Sequence, residues 1–278
     1  MVIDFHTHTF PDKIASYAVE KLSHDSGTMP YTDGTDAGLL ASMAQSKITN
    51  AVILPVATNP DKVSHMNSRI CAQRDGALIH FGAMHPDCPD WKNELRQLAD
   101  CCCKGIKIHP VYQNTDLDDF RYLRILEEAG ALGLIVVTHS GDDIGFPGVV
   151  HCSPAMAANA LRQVGPVKLV LAHMGGWHQW EEAAELLAGT SAYFDTSFSY
   201  GQIALRPETP ADTDIGLMSA EQMANLIRTF GADRVLFGTD SPWSGQRQAL
   251  EAFENLPLKQ EEKEFILWKN SAKLLNIT

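Results

Sequence analysis

The sequence lacks the features that mark several common classes of protein. No apolar run approaches the roughly 18 residues of a membrane-spanning helix, and the N-terminus has neither the basic nor the apolar region of a signal peptide. Acidic residues outnumber basic ones by 34 to 22, so no basic excess is present to bind nucleic acid or anionic membranes. We therefore expect a cytoplasmic protein with a small-molecule substrate and no nucleic-acid or membrane partner; a homo-oligomer is compatible with the sequence.

Cysteine is also too sparse to suggest a disulfide-stabilised fold. The chain has 6 cysteines in 278 residues, and Cys101, Cys102 and Cys103 lack the CxxC spacing of a thiolate metal site. We expect this triplet to act as small packing residues at the end of a helix. No internal repeat, low-complexity tract or interdomain linker is visible.

What the sequence does contain is a regular alternation of short apolar segments and amphipathic segments. Eight segments predict buried strands, each followed by a predicted helix: 2–8, 51–57, 77–83, 105–109, 134–139, 167–173, 193–197 and 235–240. The helix after the second strand is predicted from about Asp61 to Arg74, and the helix after the seventh from Ala220 to Phe230. Eight such units predict an α/β fold, a single-domain (β/α)8 TIM barrel over residues 1–278. Residues 9–36 are expected to form a lid after the first strand, and residues 199–214 a substrate-facing loop after the seventh.

Polar side chains cluster at the ends of these predicted strands, where a barrel of this kind places its active site. His6 and His8 end the first strand and lie on one face of it, because alternate side chains of a strand share a face. The other strand-end residues are His109, His139, His173 and Asp240. Together these nitrogen and oxygen groups suit a divalent transition metal.

The same residues carry a family resemblance that extends over nearly the whole chain. The motifs are Asp4-Phe5-His6-Thr7-His8, Lys107-Ile108-His109-Pro110, Val137-Thr138-His139-Ser140-Gly141, Leu171-Ala172-His173-Met174-Gly175-Gly176, Phe237-Gly238-Thr239-Asp240-Ser241-Pro242 and Asn270-Ser271-Ala272-Lys273-Leu274-Leu275. They resemble the amidohydrolase superfamily, and within it the amidohydrolase-2 branch of aminocarboxymuconate-semialdehyde decarboxylase-like proteins. The ordered set is far more specific than the two N-terminal histidines alone.

The resemblance implies a metal centre with assigned roles. By it, His6, His8, His139 and Asp240 are the metal ligands, and His173 is a neighbouring catalytic residue. Asp240 would also act in catalysis by moving a proton. One zinc ion is favoured, although manganese, iron or nickel would also fit; a second metal is disfavoured.

Other residues are assigned to substrate or support. Lys107 and His109 are expected to contact a substrate carboxylate, and Trp177 and Trp243 to form walls of the substrate pocket. Asp142, Asp143 and Arg206 are candidates by position only. We expect Asp4, which shares the strand face of His6, to form hydrogen bonds near the metal rather than to bind it.

Two reactions remain open for this set of residues. The first is hydrolysis of a small amide, ester or lactone by a metal-activated water, which we favour because the superfamily is rich in hydrolases. The alternative is nonoxidative decarboxylation of an unsaturated or aromatic acid. A metal-dependent nuclease is disfavoured by the acidic net charge and by Lys107, which stands where those proteins have an acidic residue. A barrel kept only for binding is disfavoured because no expected ligand is missing.

Overall fold

The structure is a computed structural model that describes residues 1–73, 76–210 and 213–277. The predicted helix end at Arg74 and residues 211–212 of the predicted loop lie outside the described residues. Contacts group the chain into two compact units, which are described separately: unit 1 is Met1–Ile53 with Thr196–Thr278, and unit 2 is Leu54–Asp195. In the part of the chain described, no helix combines the length and the apolar character needed to cross a membrane.

Strands and helices alternate along the chain as the sequence predicts. The strands are β1 (Ile3–Thr7), β2 (Asn50–Ile53), β3 (Leu78–His80), β4 (Gly82–Ala83), β5 (Gly105–Ile108), β6 (Ile135–Thr138), β7 (Lys168–Leu171), β8 (Tyr193–Asp195) and β9 (Val235–Leu236). The helices are α1 (Asp12–Ser26), α2 (Asp36–Ser46), α3 (Val63–Cys71), α4 (Trp91–Asp100), α5 (Phe120–Ala131), α6 (Pro154–Gln163), α7 (Trp180–Leu187), α8 (Ala220–Phe230), α9 (Gln246–Glu254), α10 (Gln260–Glu264) and α11 (Asn270–Leu275). A π-helical turn, Phe265–Lys269, joins α10 to α11.

In unit 1, β1 is a fully buried strand held on both sides. It pairs in parallel with β2, where Ile3 lies opposite Asn50. On its other side, the backbone N–H of Phe5 donates to the carbonyl of Phe237 at 2.7 Å. Because both edges of β1 are paired within this unit, the backbone that carries His6 and His8 is held in place on both sides.

In unit 2, the strands β4 to β8 form a parallel sheet. Lys107 lies opposite Ala83 on one side and Val137 on the other, and Leu171 lies opposite Phe194. Every residue of β5 and β6 is buried. Burial on both faces explains why these strands appear in the sequence as continuous apolar runs rather than alternating ones.

Several strands are shorter than predicted because the backbone turns away before the polar residue at the end. The predicted strand 77–83 is divided into β3 and β4. The predicted strand 167–173 stops at Leu171, and His173 and Met174 each have φ of 56°, in the left-handed region that cannot continue a strand. These early turns lift the polar side chains out of the strand.

The expected role of the cysteine triplet is wrong for one of its members. Cys71, the last residue of α3, forms a disulfide with Cys101, the residue after α4, and their Cα atoms are 5.5 Å apart. The packing of α3 against α4 brings the two helix ends together. The two cysteines are 30 residues apart in the sequence, so the sequence alone did not indicate that they are neighbours. Cys102 and Cys103 stay outside the disulfide.

The two segments predicted as lid and loop are attached to each other within unit 1. Thr28 and Leu205 form an antiparallel bridge, and the N–H of Met29 donates to the carbonyl of Ala204 at 2.7 Å. The guanidinium of Arg206 reaches back to α1, where it donates to Ser23 Oγ at 2.9 Å and pairs with Glu20 at 3.1 Å. The candidate Arg206 is therefore a link between these segments; their movement as a lid stays a prediction.

Candidate metal centre

His6, His8 and Asp240 come together in unit 1. Their closest approaches are 3.2 Å between the two Nε2 atoms, 3.4 Å from His6 Nε2 to Asp240 Oδ1 and 3.1 Å from His8 Nε2 to the same oxygen. His6 is 1% exposed and Asp240 8%, whereas His8 is partly exposed. One side of the group is therefore buried and the other can be reached.

These separations fit a single metal ion. Two ligand atoms bound to zinc at 2.0–2.1 Å with a tetrahedral angle lie about 3.3 Å from each other. The three measured separations, 3.1 to 3.4 Å, bracket that distance. Two imidazoles and one carboxylate also form a donor set that first-row divalent ions accept. The side chains present in unit 1 thus fit a divalent metal.

Backbone geometry presents Asp240 to the group. Asp240 has φ of 68°, a left-handed conformation that non-glycine residues seldom adopt and that recurs at functional sites. Its N–H donates to the carbonyl of His6 at 2.8 Å, and the N–H of His8 donates to the carbonyl of Ser241 at 2.7 Å. The ends of the two segments are therefore fixed to each other by backbone hydrogen bonds as well as by the side chains.

Asp4 supports this arrangement through hydrogen bonds to neighbouring residues. Its carboxylate accepts hydrogen bonds from the N–H of Thr239 at 2.9 Å, from the hydroxyl of Thr239 at 2.6 Å and from Gln246 Nε2 at 2.8 Å. A longer bond of 3.3 Å comes from the N–H of His6. Burial raises the pKa of Asp4 to about 6, although these hydrogen bonds oppose the rise. Asp4 thus links the backbone of His6 to Thr239, the residue before Asp240, as expected of a supporting carboxylate.

Ser197 is a neighbour of the group that sequence reasoning missed. Its hydroxyl lies 3.0 Å from Nδ1 of His6, so it can orient the imidazole while Nε2 faces the other two residues. Ser197 ends the predicted seventh strand, and the rule used for the histidines would have found it. A serine was passed over because it is not a common metal ligand.

In unit 2, a second polar group surrounds His139. Its Nδ1 lies 3.0 Å from Nε2 of His173, and its ring stacks on that of His109 with centroids 4.4 Å apart. The carboxylate of Asp143 is 3.6 Å from His109 Nε2 and 3.8 Å from His139 Nε2. His109, His139 and Asp143 could also hold a cation. The distances from the Asp143 carboxylate to the two imidazoles are longer than the 3.1 to 3.4 Å separations in unit 1. Asp143, a candidate by position only, is thus an integral member of this group.

Two buried residues of unit 2, Lys107 and Gln113, lie within four positions of His109 along the chain. Lys107, 1% exposed, lies in β5 two residues before His109. The side chain of Gln113 accepts from the N–H of His109 at 3.0 Å and donates to the carbonyls of Ala57 and Met84, each at 2.7 Å. Gln113 therefore ties the segment after β5 to two other segments of the unit, a role that no sequence signal indicated.

The two tryptophans differ in exposure. Trp177 is 5% exposed in unit 2, and its backbone N–H donates to the carbonyl of Ser140 at 3.0 Å. Gly141 permits this approach, because a Cβ there would lie 2.1 Å from the Trp177 nitrogen. Trp243, in unit 1, is partly exposed, and its backbone N–H donates to the carbonyl of Asp240 at 2.8 Å. Each tryptophan thus adjoins a strand-end segment.

The structure therefore brings the predicted site residues together in two sets. Unit 1 contains His6, His8, Asp240 and Trp243; unit 2 contains Lys107, His109, His139, His173 and Trp177. Their roles, including that of His139 as a fourth ligand, stay predictions.

Comparison with known proteins agrees with the resemblance noted in the sequence. A family model described as amidohydrolase matches residues 3–277. A curated relative, gamma-resorcylate decarboxylase from Polaromonas sp. JS666, is 24% identical over 135 residues. That match spans 46% of this chain and 40% of the relative, less than half of either.

Solved structures match over almost the full length of the chain. One of them is an uncharacterised TIM-barrel protein from Bordetella bronchiseptica, with a TM-score of 0.74 and 18% identity over 99% of this chain and 98% of that one. Another is a dihydroxybenzoic acid decarboxylase from Polaromonas sp. JS666 with bound manganese and the inhibitor 2-nitroresorcinol, with a TM-score of 0.69 and 14% identity over 99% and 96% of the two chains. A third is a probable 2-pyrone-4,6-dicarboxylic acid hydrolase from Acinetobacter baumannii with citric acid bound, with a TM-score of 0.65 and 18% identity over 99% of each chain. At these identities the likeness concerns the fold, and the predicted α/β class and TIM-barrel fold are confirmed.

Proposed function

Because the chain belongs to the amidohydrolase family, we propose that it is a metal-dependent decarboxylase that removes CO2 from a small aromatic or unsaturated carboxylic acid. The observation that carries the metal dependence is the group of His6, His8 and Asp240, with separations of 3.1 to 3.4 Å. Decarboxylation is favoured over the hydrolysis expected from the sequence because the curated relative is a decarboxylase, and so is a solved structure of the same fold.

A divalent ion held by His6, His8 and Asp240 would supply a Lewis acid that binds substrate oxygen atoms. We retain one ion in this proposal, with zinc or manganese as the first choices. The sequence favours zinc, and manganese is bound in the decarboxylase of the same fold. His139 is retained as the further ligand that the family resemblance implies.

The reaction requires a proton at the carbon that bears the carboxylate. In this proposal His173 donates that proton from its ring nitrogen, the bond between the carbon and the carboxylate breaks, and its electron pair restores the unsaturated system as CO2 leaves. Asp240 holds or returns a proton during turnover. The contact between His173 Nε2 and His139 Nδ1, 3.0 Å, orients the imidazole of His173 for this task.

Recognition of the acid is assigned to the residues predicted from the sequence. Lys107 and His109 supply positive charge or hydrogen bonds to a carboxylate, and Trp177 and Trp243 offer flat apolar surfaces to an unsaturated substrate. The cytoplasmic location and the restriction to small-molecule partners are likewise retained as proposals.

Hydrolysis of a lactone or ester is the second candidate. The observation that favours it is the structural likeness to the probable 2-pyrone-4,6-dicarboxylic acid hydrolase, which covers 99% of both chains. In that case Asp240 would accept a proton from the attacking water, and the other assignments would stay the same.

A substrate panel separates these two reactions. The protein is loaded with zinc or with manganese and incubated with hydroxybenzoic and unsaturated acids, and CO2 is measured; a parallel set of lactones and esters is followed for hydrolysis. We expect CO2 release from at least one acid, and its loss by at least 100-fold in Asp240→Asn, a drop in the range that removal of one catalytic group produces. Hydrolysis of lactones without CO2 release from any acid would contradict the proposal.

A further inference from the structure

The cysteines of unit 2 divide into buried residues and residues that are exposed or partly exposed. Cys88 and Cys152 are buried thiols, whereas Cys101 and Cys102 are exposed and Cys71 is partly exposed. Cys103 is partly exposed, and its Sγ approaches the carbonyl of Gly105 at 3.3 Å. The cysteines that are exposed or partly exposed therefore lie close together, where α3 and α4 end.

The buried thiols are unreactive by their surroundings. Burial raises the pKa of Cys152 to about 11 and also raises the pKa of Cys88. Only the thiolate is a nucleophile, so these two side chains take no part in sulfur exchange near neutral pH. They provide internal reporters of the folded state, because reagents reach them only on unfolding.

The exposed group combines a disulfide with a neighbouring thiol. Cys71 and Cys101 are bonded, and Cys102, the next residue, is exposed, carries a thiol and has φ of 65°, in the left-handed region. An exposed disulfide is open to attack by external thiolates, and exchange depends on that access. We propose that Cys71, Cys101 and Cys102 form a thiol–disulfide exchange site for low-molecular-weight thiols of the glutathione type.

The exchange takes place in two balanced steps. A glutathione thiolate attacks Sγ of Cys101; a mixed disulfide forms, the bond to Cys71 breaks, and Cys71 leaves as a thiolate that takes a proton. A second glutathione thiolate then attacks the glutathione sulfur of the mixed disulfide and releases Cys101 as a thiol. Two thiols are oxidised to one glutathione disulfide while the protein disulfide is reduced. In the oxidising direction, the Cys102 thiolate attacks glutathione disulfide, gains the glutathionyl group and releases one glutathione.

Reduction releases the helix ends but leaves other bonds between the same elements. Asn67 of α3 donates to Glu94 Oε2 of α4 at 3.0 Å, and its own Oδ1 accepts from the N–H of Ala83 at 2.9 Å. All three residues are buried. The contact of α3 with α4 and β4 therefore persists, and the reduced chain stays folded.

Site-resolved alkylation tests this proposal on the folded full-length protein. The protein is equilibrated with excess reduced glutathione or with buffer, alkylated with iodoacetamide without denaturant, and the modified fraction of each cysteine is read by peptide mass spectrometry. We expect the modified fraction of Cys71 and Cys101 to rise from near zero to near complete, while Cys88 and Cys152 stay unmodified. A disulfide that survives in the folded protein, or simultaneous modification of Cys88 and Cys152, would overturn the proposal.

The role of Cys102 is tested in the oxidising direction. With glutathione disulfide, we expect a glutathionyl adduct on Cys102 that is lost in Cys102→Ser, a surface substitution that leaves the Cys71–Cys101 bond in place. An adduct of the same yield in Cys102→Ser, or none in the unchanged protein, removes Cys102 from the site. Cys88→Ser serves as the matched control, because a buried thiol contributes no adduct to either measurement.

Discussion

The substitution Asp4→Asn separates support of the metal centre from support of the fold. In the original protein, the Thr239 hydroxyl and Gln246 Nε2 donate to Asp4 at 2.6 and 2.8 Å. Asn keeps one acceptor oxygen but turns an NH2 group, which cannot accept, toward one of these donors. Loss of a hydrogen bond to a charged acceptor costs roughly 1.5–3 kcal/mol. Removal of a buried charge recovers part of this, because burial already disfavours the ionised form and raises its pKa to about 6.

These opposing terms predict a small change in stability and a larger change in metal binding. We expect the free energy of unfolding of the metal-free protein to fall by no more than about 2 kcal/mol. Metal affinity should fall by roughly 10- to 100-fold, as when a residue that orients a metal ligand is removed. Urea unfolding measures the first quantity, and competition with a chelator measures the second.

The control for this experiment is Asp12→Asn, a change of the same chemistry at an exposed position in the first turn of α1. It should leave metal affinity unchanged. An Asp4→Asn protein that binds metal within threefold of the original affinity would refute the argument that Asp4 holds the centre in place. The argument would also be refuted if the loss of metal affinity were no larger than the measured loss in the free energy of unfolding explains.

Two further predictions concern other parts of the chain. Arg206→Gln should speed hydrogen exchange by roughly fivefold in both 27–29 and 204–209, because the ion pair with Glu20 is lost. The control Arg247→Gln, which removes an ion pair within α9, should leave the exchange of both segments unchanged. Acceleration in only one segment would show that Arg206 does not join them. Cys71→Ser removes a disulfide between residues 30 positions apart in the sequence. The free energy of unfolding, measured in urea, should therefore fall by roughly 3–4 kcal/mol, because the unfolded chain is no longer constrained. An unchanged free energy of unfolding would contradict the disulfide.

The elements that sequence predicted best are those whose own residues determine them. Helix α8 has the predicted bounds, because Ser219 and Gln222 form a capping box that starts it and Phe230 is followed by Gly231. Strands β5 and β6 differ from prediction only at their ends, since burial on both faces leaves a clear apolar run. Local signals of this kind can be read without knowledge of the fold.

The features that sequence missed depend on partners far away in the chain. The predicted strand 235–240 is reduced to β9, Val235–Leu236. The next three N–H groups, of Phe237, Gly238 and Thr239, donate to the carbonyl of Ile266, the hydroxyl of Thr196 and the carboxylate of Asp4, and Asp240 then turns into the left-handed region. The disulfide of Cys71 likewise depends on how α3 packs on α4. No window of sequence around either position contains this information.

The candidate site was predicted at the level of residue type but not of arrangement. The strand-end rule found His6, His8 and Asp240, because imidazoles and a carboxylate at strand ends are conspicuous in an apolar background. It undervalued Asp143 and overlooked Gln113, whose importance lies in hydrogen bonds to His109 and its surroundings. Supporting residues have ordinary types and are recognised only by what they contact.

The metal content of His6→Ala/His8→Ala tests the central claim most directly. Elemental analysis of the purified protein should find one divalent ion per chain in the original sequence and less than a tenth of that in the double variant, while circular dichroism shows the same folded state. The matched control replaces the exposed His24 and His65 and should retain the full metal content. If the His6→Ala/His8→Ala protein keeps its metal, the ion is bound elsewhere and the proposed centre is wrong.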